Sequence, residues 1–329
     1  MRILLIHNKY KQAGGEDSVV ESERELLESN GHHVKLYYFD NNEINSLSKK
    51  IRLAYQFIYN TRSEQIVKNL IADFKPDVMH VHNLFYLASP SILVAAQKLK
   101  VPVVVTLHNY RLICSGALLM RDSKPCELCI NKMFPVDGVK YGCYDGSKPQ
   151  TAQLTFMTGI HKLLGTWRDK VSVYIVLTEF AKTKFLNSSL KLSPDKIIVK
   201  ANSVVNIEPL GFSERENYFL FVGRLSKEKG IDVLLKAFVD TDISIEIIGD
   251  GPLRASVKNF SERSPNIRYA GYKDKEYIFS RLKKCKALIV PSVCYEGLPT
   301  SILESFSSGT PVIVSDTDNL NEIVKHNVN

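Results

Sequence analysis

The chain has 329 residues, enough for two domains of ordinary size. Hydrophobic residues make up 44% and charged residues 24%, a composition that excludes a disordered or fibrous chain and is typical of a globular protein. The net charge of +8 is dispersed along the chain and favours anionic partners, either phosphorylated substrates or an anionic membrane surface. We expect no nucleic-acid partner, because no basic and aromatic binding motif is present.

The chain shows no targeting or membrane-spanning signal. Its first residues lack the long apolar stretch of a signal peptide, and no apolar run approaches the roughly 20 residues of a spanning helix. We therefore expect a cytoplasmic protein, with peripheral association at the inner face of the plasma membrane as an open alternative. In that compartment the six cysteines are expected to be thiols or metal ligands instead of disulfides.

Short runs rich in valine and isoleucine alternate with amphipathic segments along the chain. Apolar runs of this kind predict parallel strands buried on both faces, and the intervening segments predict the covering helices of an α/β protein. The predicted strands are residues 3–7, 34–39, 78–81, 103–107, 173–177, 197–200, 218–222, 243–248, 267–270, 287–290 and 312–315.

The alternating pattern starts twice. Residues 204–215 are mostly polar and contain Pro209 and Gly211, which we interpret as a linker between Rossmann-like domains at 1–205 and 206–329. Ligands bind such sheets beyond the carboxyl ends of the strands. The second domain looks incomplete, because a single helical segment at 319–324 follows its fifth strand. Whether the natural chain is short or this is a fragment stays open.

A pair of glycines, Gly14 and Gly15, follows the first predicted strand. Glycine lets the backbone approach a ligand closely, and residues 18–21 fit a capping box that predicts a helix start. Free amides at such a start attract phosphate. From this loop alone an ordinary turn is favoured, since the Gly-x-Gly-x-x-Gly fingerprint is missing.

Three histidines follow predicted strands of the first domain. His108 comes directly after the strand at 103–107, where sites occur in α/β sheets, and His80 and His82 end the strand before it. A lone histidine is more often structural, so the position alone does not decide between these three.

Two cations flank a turn after the first strand of the second domain. Arg224 and Lys229 lie in a Gly-Arg-Leu-Ser-Lys-Glu-Lys-Gly segment that leads into a predicted helix at 231–238. Cations next to a helix start predict a diphosphate site. A solvated loop is the alternative, and Lys227 is expected to be part of one.

The most specific signal is a strand-to-helix segment that contains two acids. Glu296 precedes the predicted helix and Glu304 lies about two turns later. Gly297 permits a tight turn, and Pro299 suits the first helical turn. Carboxylates accept bidentate hydrogen bonds from sugar hydroxyls, so the two acids are predicted to hold different sugars of one nucleotide-sugar donor. A surface position for Glu304 is the alternative.

With these motifs, the sequence resembles the family 4 retaining glycosyltransferases of GT-B fold over nearly its whole length. Glu296 and Glu304 match the Glu-x7-Glu motif of that family. The resemblance implies two Rossmann-like domains that face each other across a cleft. The other matching positions, in the order of the family, are Gly14-Gly15, His108, Arg224, Lys229, Gly249-Asp250-Gly251 and residues 311–316.

The resemblance also implies roles for the matched side chains. Arg224 and Lys229 would neutralise the departing diphosphate, and Glu304 would hold the nucleotide ribose. Glu296 would hold the transferred sugar near O3, and His108 would lie near its C6 hydroxyl. The remaining implied donor contacts, many through the backbone, are Gly14, Gly15, Gly223, Gly249, Asp250, Gly251, Tyr295, Gly297, Leu298, Pro299 and Thr300.

The implied activity is hexose transfer with retention of configuration, from a nucleotide-diphosphate sugar to a glycan or lipid-linked acceptor of surface polysaccharide or lipopolysaccharide. No metal is implied for catalysis, and two Asp-x-Asp sequences at 240–242 and 316–318 are interpreted as unrelated to it. Two alternatives stay open. One is a non-catalytic nucleotide-sugar-binding protein, and the other is an NAD-dependent oxidoreductase, which lacks its glycine fingerprint here.

Four cysteines fall in an insert at residues 109–150. Cys126 and Cys129 form a Cys-x2-Cys pair, and Cys114 and Cys143 lie on either side at looser spacings. The pattern is compatible with a structural zinc site of four thiolates, with unliganded thiols as the equal alternative. A similar segment occurs in a bacterial subgroup of the same family.

Overall fold

The structure, a computed structural model, describes residues 1–9, 14–41, 56–204, 206, 208–209, 211 and 214–328. It divides into two compact units, one of Met1–Leu119 and Glu127–Ala201, the other of Met120–Cys126 and Asn202–Asn329. The main boundary therefore falls between Ala201 and Asn202, near the predicted position. The short segment Met120–Cys126, which the sequence assigned to the first domain, groups with the second unit.

The first unit contains a six-stranded sheet in which every neighbouring pair is parallel. All six strands predicted for this domain are present. The strand order is β2-β1-β3-β4-β7-β8, with β1 Arg2–Lys9, β2 His33–Asp40, β3 Val78–Asn83, β4 Val103–Leu107, β7 Val173–Val176 and β8 Ile197–Val199. A two-stranded antiparallel hairpin, β5 Met120–Arg121 and β6 Lys124–Pro125, was not predicted and belongs to the segment that groups with the second unit.

Seven helices are described in this unit. Helices must cover both faces of the sheet, as the interior strand β1 shows. Its Leu4, Leu5 and Ile6 are fully buried, and successive side chains of a strand point to opposite faces. The helices are α1 Gly15–Ser29, α2 Thr61–Phe74, α3 Ser91–Lys98, α4 Val136–Tyr141, α5 Lys148–Leu163, α6 Thr166–Asp169 and α7 Glu179–Leu186. A 3₁₀ turn, Pro194–Lys196, precedes β8.

Helix α1 begins earlier than the sequence predicted. Its N-cap is Gly14, and the carboxylate of Asp17 accepts a hydrogen bond from the Gly14 amide at 2.8 Å. Asp17 thus satisfies the backbone at the helix start, and the predicted capping box at residues 18–21 was wrong. The predicted stop is present, because Gly31 adopts a φ of +78° just past the helix.

The second unit contains a five-stranded parallel sheet of order β11-β10-β9-β12-β13. All five predicted strands are present, as β9 Phe219–Val222, β10 Ile245–Ile248, β11 Ile267–Gly271, β12 Leu288–Val290 and β13 Val312–Val314. The helices are α8 Ile231–Phe238, α9 Arg254–Arg263, α10 Lys275–Lys284, α11 Thr300–Ser307 and α12 Asp318–Ile323, with a 3₁₀ turn at Lys227–Lys229.

Two hydrophobic clusters cover this second sheet. Leu220 belongs to one and its neighbour Phe221 to the other, which places the clusters on opposite faces of β9. Across the described ranges, no helix has both the length and the apolar character needed to cross a membrane.

The strand order of each sheet determines where a ligand-binding crevice can form. In the first sheet the order reverses between β1 and β3, and in the second between β9 and β12. Loops diverge at such switch points and leave a crevice at the carboxyl ends of the strands. The chain places His7 and His82 beside the first switch point, and Lys229 and Glu296 in the loops that leave the second.

Candidate active site

In the second unit, the loops after β9 and β10 pack backbone against backbone where Gly223 meets Gly249. The Gly223 amide donates to the carbonyl of Ile248 at 3.1 Å, and the Leu225 amide donates to the carbonyl of Asp250 at 2.9 Å. Gly249 has a φ of +147°, and a Cβ there would lie 1.9 Å from the Gly223 oxygen. Glycine at 249 is therefore required by backbone packing, whatever the loop binds.

A second close approach joins the loops after β9 and β12. Gly230 has a φ of +70°, and a Cβ there would lie 1.8 Å from the carbonyl oxygen of Pro291. The Val293 amide also donates to the Glu228 carbonyl at 2.9 Å. These contacts hold the two loops in one arrangement and bring Lys229 to Glu296.

Lys229 and Glu296 form a partly buried ion pair with 2.6 Å between Nζ and Oε1. Ser292 Oγ donates to the same carboxylate oxygen at 2.5 Å, and Asn319 Nδ2 donates to the Glu296 carbonyl at 2.8 Å. Burial lowers the pKa of Lys229, but the neighbouring Glu296 carboxylate outweighs this effect and the pKa is raised. Lys229 is therefore a fixed cation at neutral pH.

Glu304 lies in the second turn of α11, whose N-cap is Pro299. It is half-buried, and burial raises the pKa of its carboxyl above the usual value while the charge of Lys275 opposes the shift. A carboxylate in this position gains from hydrogen-bond donors brought by a ligand. Sugar hydroxyls are donors of this kind.

The other predicted donor residues divide by exposure. Arg224 is exposed directly after β9, and Gly297, Pro299 and Thr300 are partly exposed at the start of α11. Leu298 and Tyr295 are buried, with 7% and 9% exposure, so their backbone is better placed than their side chains to contact a ligand.

The adjacent turn after β10 contains two further predicted donor residues, Asp250 and Gly251. The Gly251 amide donates to the Asp250 carboxylate at 2.8 Å, and Arg254 lies 3.4 Å from the same side chain. Asp250 therefore shapes this turn and pairs with α9.

The first unit gathers four histidines at the carboxyl ends of its strands. His7 comes from β1, His80 and His82 from β3, and His108 from the loop after β4. His82 Nδ1 lies 3.0 Å from His108 Nε2, and the two rings stack with centroids 5.3 Å apart. The sequence treated His80 and His82 as rivals of His108, whereas the structure joins His82 to it directly.

Burial favours the neutral form of three of these imidazoles, those of His80, His82 and His108. It lowers the pKa of His80 to about 3, and it lowers the pKa values of His82 and His108 as well, because the charged form of a buried ring loses its hydration. His108 is therefore a neutral hydrogen-bonding group at pH 7, and it cannot serve there as a fixed cation.

Acidic side chains of α1 contact this histidine group. Glu23 Oε1 lies 3.4 Å from His80 Nδ1, and Asp17 Oδ1 lies 2.9 Å from His7 Nε2. Asn109, next to His108, donates to Glu16 at 3.0 Å. Sequence reasoning missed Glu23, although its place one turn after the buried Val19 and Val20 is a signal that an acid lies on the buried face of the helix.

The predicted glycine pair lies at the start of α1, and both residues are exposed. The Gly14 amide already donates to Asp17, and Glu16 and Asp17 occupy the first turn. These acids take the favourable position at the positive end of the helix that was predicted for a phosphate.

The four insert cysteines are thiols that form no disulfide among the described residues. Over the described ranges, the one group of three or more His, Cys, Asp or Glu side chains with ligand atoms within 4.8 Å of one another is Glu23, His80 and His82. Burial, aided by the nearby Cys114 thiol, raises the pKa of Cys129 to about 12. The four-thiolate zinc site stays a prediction, and Cys126 lies in the segment that groups with the second unit.

Known protein families account for most of the chain. Residues 205–329 match the family model "Glycosyl transferases group 1". The second unit carries a glycosyltransferase group 1 domain. Residues 13–129 match the model "Glycosyltransferase Family 4", so a domain of that type precedes it. Together these matches indicate a transferase.

Similar proteins cover nearly the whole chain. An uncharacterized glycosyltransferase, MJ1178 of Methanocaldococcus jannaschii, is 28% identical over 98% of this chain and 81% of the relative. The alpha-monoglucosyldiacylglycerol synthase of Streptococcus pneumoniae is 24% identical over 98% and 73%. The amylovoran biosynthesis glycosyltransferase AmsK of Erwinia amylovora is 26% identical over 42% and 35%.

The fold is GT-B, as the sequence predicted. The crystal structure of Anabaena Alr3699/HepE in complex with UDP and glucose matches with a TM-score of 0.61 at 15% identity. The match covers 99% of this chain and 84% of that one. At this identity the likeness establishes the fold alone.

Proposed function

We propose that this protein is a retaining hexosyltransferase that uses a nucleotide-diphosphate sugar. The observation that carries the proposal is the Lys229–Glu296 pair in the loops that leave the switch point of the second sheet, with Glu304 in the helix that follows. The names of similar proteins, among them the HepE complex with UDP and glucose, support a donor of the UDP-sugar kind.

The donor diphosphate would be neutralised by side chains. Arg224 and Lys229 would stabilise the negative charge that grows on the leaving group, aided by the amides at the start of α11, so we propose that transfer needs no metal ion. Lys229 donates a hydrogen bond to Glu296. A bound diphosphate would share that cation and leave the Glu296 carboxylate to accept hydroxyls of the transferred sugar.

His108 would contact the sugar as a neutral group. Because burial lowers its pKa, the imidazole is uncharged. Its Nε2 already lies 3.0 Å from His82 Nδ1, so Nδ1 would be the nitrogen that contacts the sugar. Glu304 is half-buried in α11, the helix that follows the loop of Glu296, and would accept hydrogen bonds from the nucleotide ribose. The partner of the transferred hexose would be a glycan or lipid-linked acceptor.

Surface polysaccharide or lipopolysaccharide synthesis is the proposed setting. AmsK by name acts in amylovoran biosynthesis, and the S. pneumoniae relative by name makes a glucosylated diacylglycerol. A lipid-linked acceptor would bring the protein to the inner face of the plasma membrane, and its net charge of +8 suits an anionic leaflet.

Calorimetric titration with UDP-glucose, GDP-mannose and related donors tests the proposal. We expect one donor to bind, and we expect Glu304→Gln to weaken it about 10- to 100-fold, since hydrogen bonds to a charged group contribute about 1.5–3 kcal/mol. The matched control is Glu262→Gln, which changes an exposed acid on α9 that lies 3.8 Å from Lys258.

The outcomes separate the hypotheses. Failure of every nucleotide sugar to bind would overturn the proposal. Donor binding with neither transfer nor donor hydrolysis would favour a non-catalytic binding protein. Equal affinity of the Glu304→Gln and Glu262→Gln variants would remove the ribose role of Glu304 and leave the donor assignment intact.

A further inference from the structure

Three buried side chains of the first unit converge outside the groups assigned to sugar transfer. Glu23 projects from the buried face of α1. His80 and His82 are two residues apart on β3, so they point to the same face of the sheet. Their side chains are 7%, 0% and 11% exposed for His80, His82 and Glu23. A carboxylate and two imidazoles are thereby enclosed between one helix and one strand.

The separations fit one tetrahedral ion. His80 Nδ1 lies 3.4 Å from Glu23 Oε1, and His82 Nε2 lies 3.8 Å from Glu23 Oε2. Ligand atoms bound about 2.0–2.1 Å from a tetrahedral zinc ion are about 3.4 Å apart. One ligand atom from each of the three side chains lies within 4.8 Å of the other two, so side-chain rotations that shorten these separations would bring all three onto one ion.

The second ring nitrogen of each histidine already lies next to a hydrogen-bond partner. His80 Nε2 lies 2.8 Å from Thr106 Oγ1, and His82 Nδ1 lies 3.0 Å from His108 Nε2. Metal-binding histidines hold their orientation by donating the second N–H to an acceptor of this kind. With an ion on Nδ1 of His80 and Nε2 of His82, both remaining nitrogens would carry hydrogen and donate.

An unsatisfied atom points into the same space. His82 is fully buried, and its Nε2 has no hydrogen-bond partner among the described residues. Burial also raises the pKa of Glu23, so its carboxylate lies where negative charge is disfavoured. Lys200, 3.7 Å from Glu23 and 45% exposed, supplies only partial compensation from the solvent side. A cation within the group would satisfy both the nitrogen and the carboxylate.

We propose that Glu23, His80 and His82 bind one divalent transition-metal ion of the zinc class. Two imidazoles and a carboxylate form an established donor set for zinc. The competing arrangement has no ion, with both imidazoles donating to Glu23. The proposal is independent of the sugar-transfer assignment, because none of the three ligands is given a role in transfer.

Occupancy would also orient His108. The N–H of metal-bound His82 would donate to His108 Nε2, which leaves hydrogen on Nδ1 of His108. His82 would then act as a positioning residue for His108. This consequence, unlike the metal site, rests on the proposed function.

Cobalt titration of chelator-treated protein tests the site without any activity measurement. Co²⁺ reports its ligands by absorption, since nitrogen and oxygen ligands give visible bands, while thiolates add a sulfur-to-metal band in the near ultraviolet. We expect the Cys126→Ser/Cys129→Ser variant to bind one Co²⁺ by equilibrium dialysis, with visible bands and no sulfur band. His33→Gln, which removes an exposed imidazole on β2, should bind like the parent protein.

Ligand variants complete the test. Glu23→Gln and His82→Gln, with folding checked by fluorescence of the single, buried Trp167, should each weaken Co²⁺ at least tenfold. If either fails to fold, Thr106→Val should weaken it about 10-fold, the loss typical of an outer-shell partner. The proposal would be overturned by absence of bound Co²⁺ after removal of the cysteine pair, or by unchanged affinity in the folded ligand variants.

Discussion

The two sheets differ in the charge of the side chains at their carboxyl ends. The first gathers imidazoles that burial keeps neutral, with the pKa of His80 lowered to about 3. The second holds a charged pair, Lys229 and Glu296, in which the carboxylate raises the pKa of the lysine against the effect of burial. Both regions follow the same switch-point rule. The rule therefore locates a site, and the side chains at that site decide its chemistry.

The largest effect should come from breaking the charged pair. Lys229→Ala would remove the cation proposed to neutralise the diphosphate and leave the Glu296 carboxylate, 11% exposed, without its ion-pair partner. We expect transfer to fall about 100- to 1,000-fold, the loss typical when one preorganised charge-stabilising group is deleted. Steady-state rates with the donor found by titration would measure it.

Lys227 provides the matched control. It lies in the same 3₁₀ turn as Lys229 but is exposed, so Lys227→Ala should change the rate less than twofold. Equal losses in the two variants would show that general positive charge, and not the pair, supports the reaction.

The glycine loops of the second unit give the next effect. Gly249→Ala would force a Cβ to within 1.9 Å of the Gly223 oxygen at a φ of +147°. We expect the free energy of unfolding to fall by about 3 kcal/mol, as for severe overpacking combined with backbone strain. Urea denaturation, monitored by hydrogen exchange of the amides in β9 and β10, would measure this free energy.

Gly271→Ala separates strain from crowding. Its φ is +74°, yet a Cβ there meets nothing within 4 Å, so this variant should lose only about 1 kcal/mol. If both variants lost the same free energy, backbone conformation alone would explain the need for glycine at position 249, and close packing would not contribute.

The neutral histidines predict a pH effect confined to the first unit. Below about pH 6.5 the unfolded chain binds protons on His80, His82 and His108 that the folded chain excludes, so stability is complete above that pH and is lost as pH falls. Each histidine should contribute a slope of about 1.4 kcal/mol per pH unit. Urea midpoints from Trp167 fluorescence, with chelator present, would measure the slope.

Substitution identifies the groups responsible. His80→Asn should reduce the slope by about one histidine equivalent between pH 6.5 and 5, whereas His33→Asn, at an exposed position on β2, should leave it unchanged. A slope unaffected by His80→Asn would show that its ring is protonated in the folded state.

The fold was readable from the sequence because parallel strands buried on both faces are continuous apolar runs. Strand β4 begins and ends at the predicted residues, 103 and 107, and helix α8 likewise at 231 and 238. The hairpin β5–β6 was missed, since two strands of two residues each have no periodicity to detect.

Site residues were predictable where they follow strands. Lys229 and Glu296 each lie in a loop after a strand, and the structure pairs them at 2.6 Å. Ser292 and Asn319, which orient Glu296, were missed because polar residues of loops and short helices carry no distinctive spacing. Glu23 was missed for another reason. An acid on the buried side of a helix contradicts its pattern, and the histidines that explain it lie far away in the sequence.

Glu64 is expected to give the smallest effect, and it tests whether the contrast between neutral and charged groups holds for the whole first unit. It lies in the first unit, yet it holds its charge by pairing, with Lys68 at 2.7 Å, Lys98 at 2.9 Å and Tyr59 at 2.7 Å. The hydrogen bonds from Lys68, Lys98 and Tyr59 lower its pKa to about 2. Its contribution is therefore present above about pH 4.5 and is lost as pH falls towards 2.

Glu64→Gln should lower the free energy of unfolding by about 1 kcal/mol at pH 7, because both lysines are partly exposed and such pairs are weak. The difference from the parent protein should shrink as pH falls from 4.5 towards 2. The histidine contribution is also lost on acidification, but its loss begins at the higher pH of about 6.5. Urea midpoints of the parent protein and the variant, taken from pH 7 down to the lowest pH at which the parent protein stays folded, would measure this difference. A difference that persisted at the lower pH would mean that the side chain packs rather than pairs. If it disappears, the neutral imidazoles are a property of the carboxyl edge of the first sheet, where burial is the largest cause that lowers the pKa values of His80, His82 and His108.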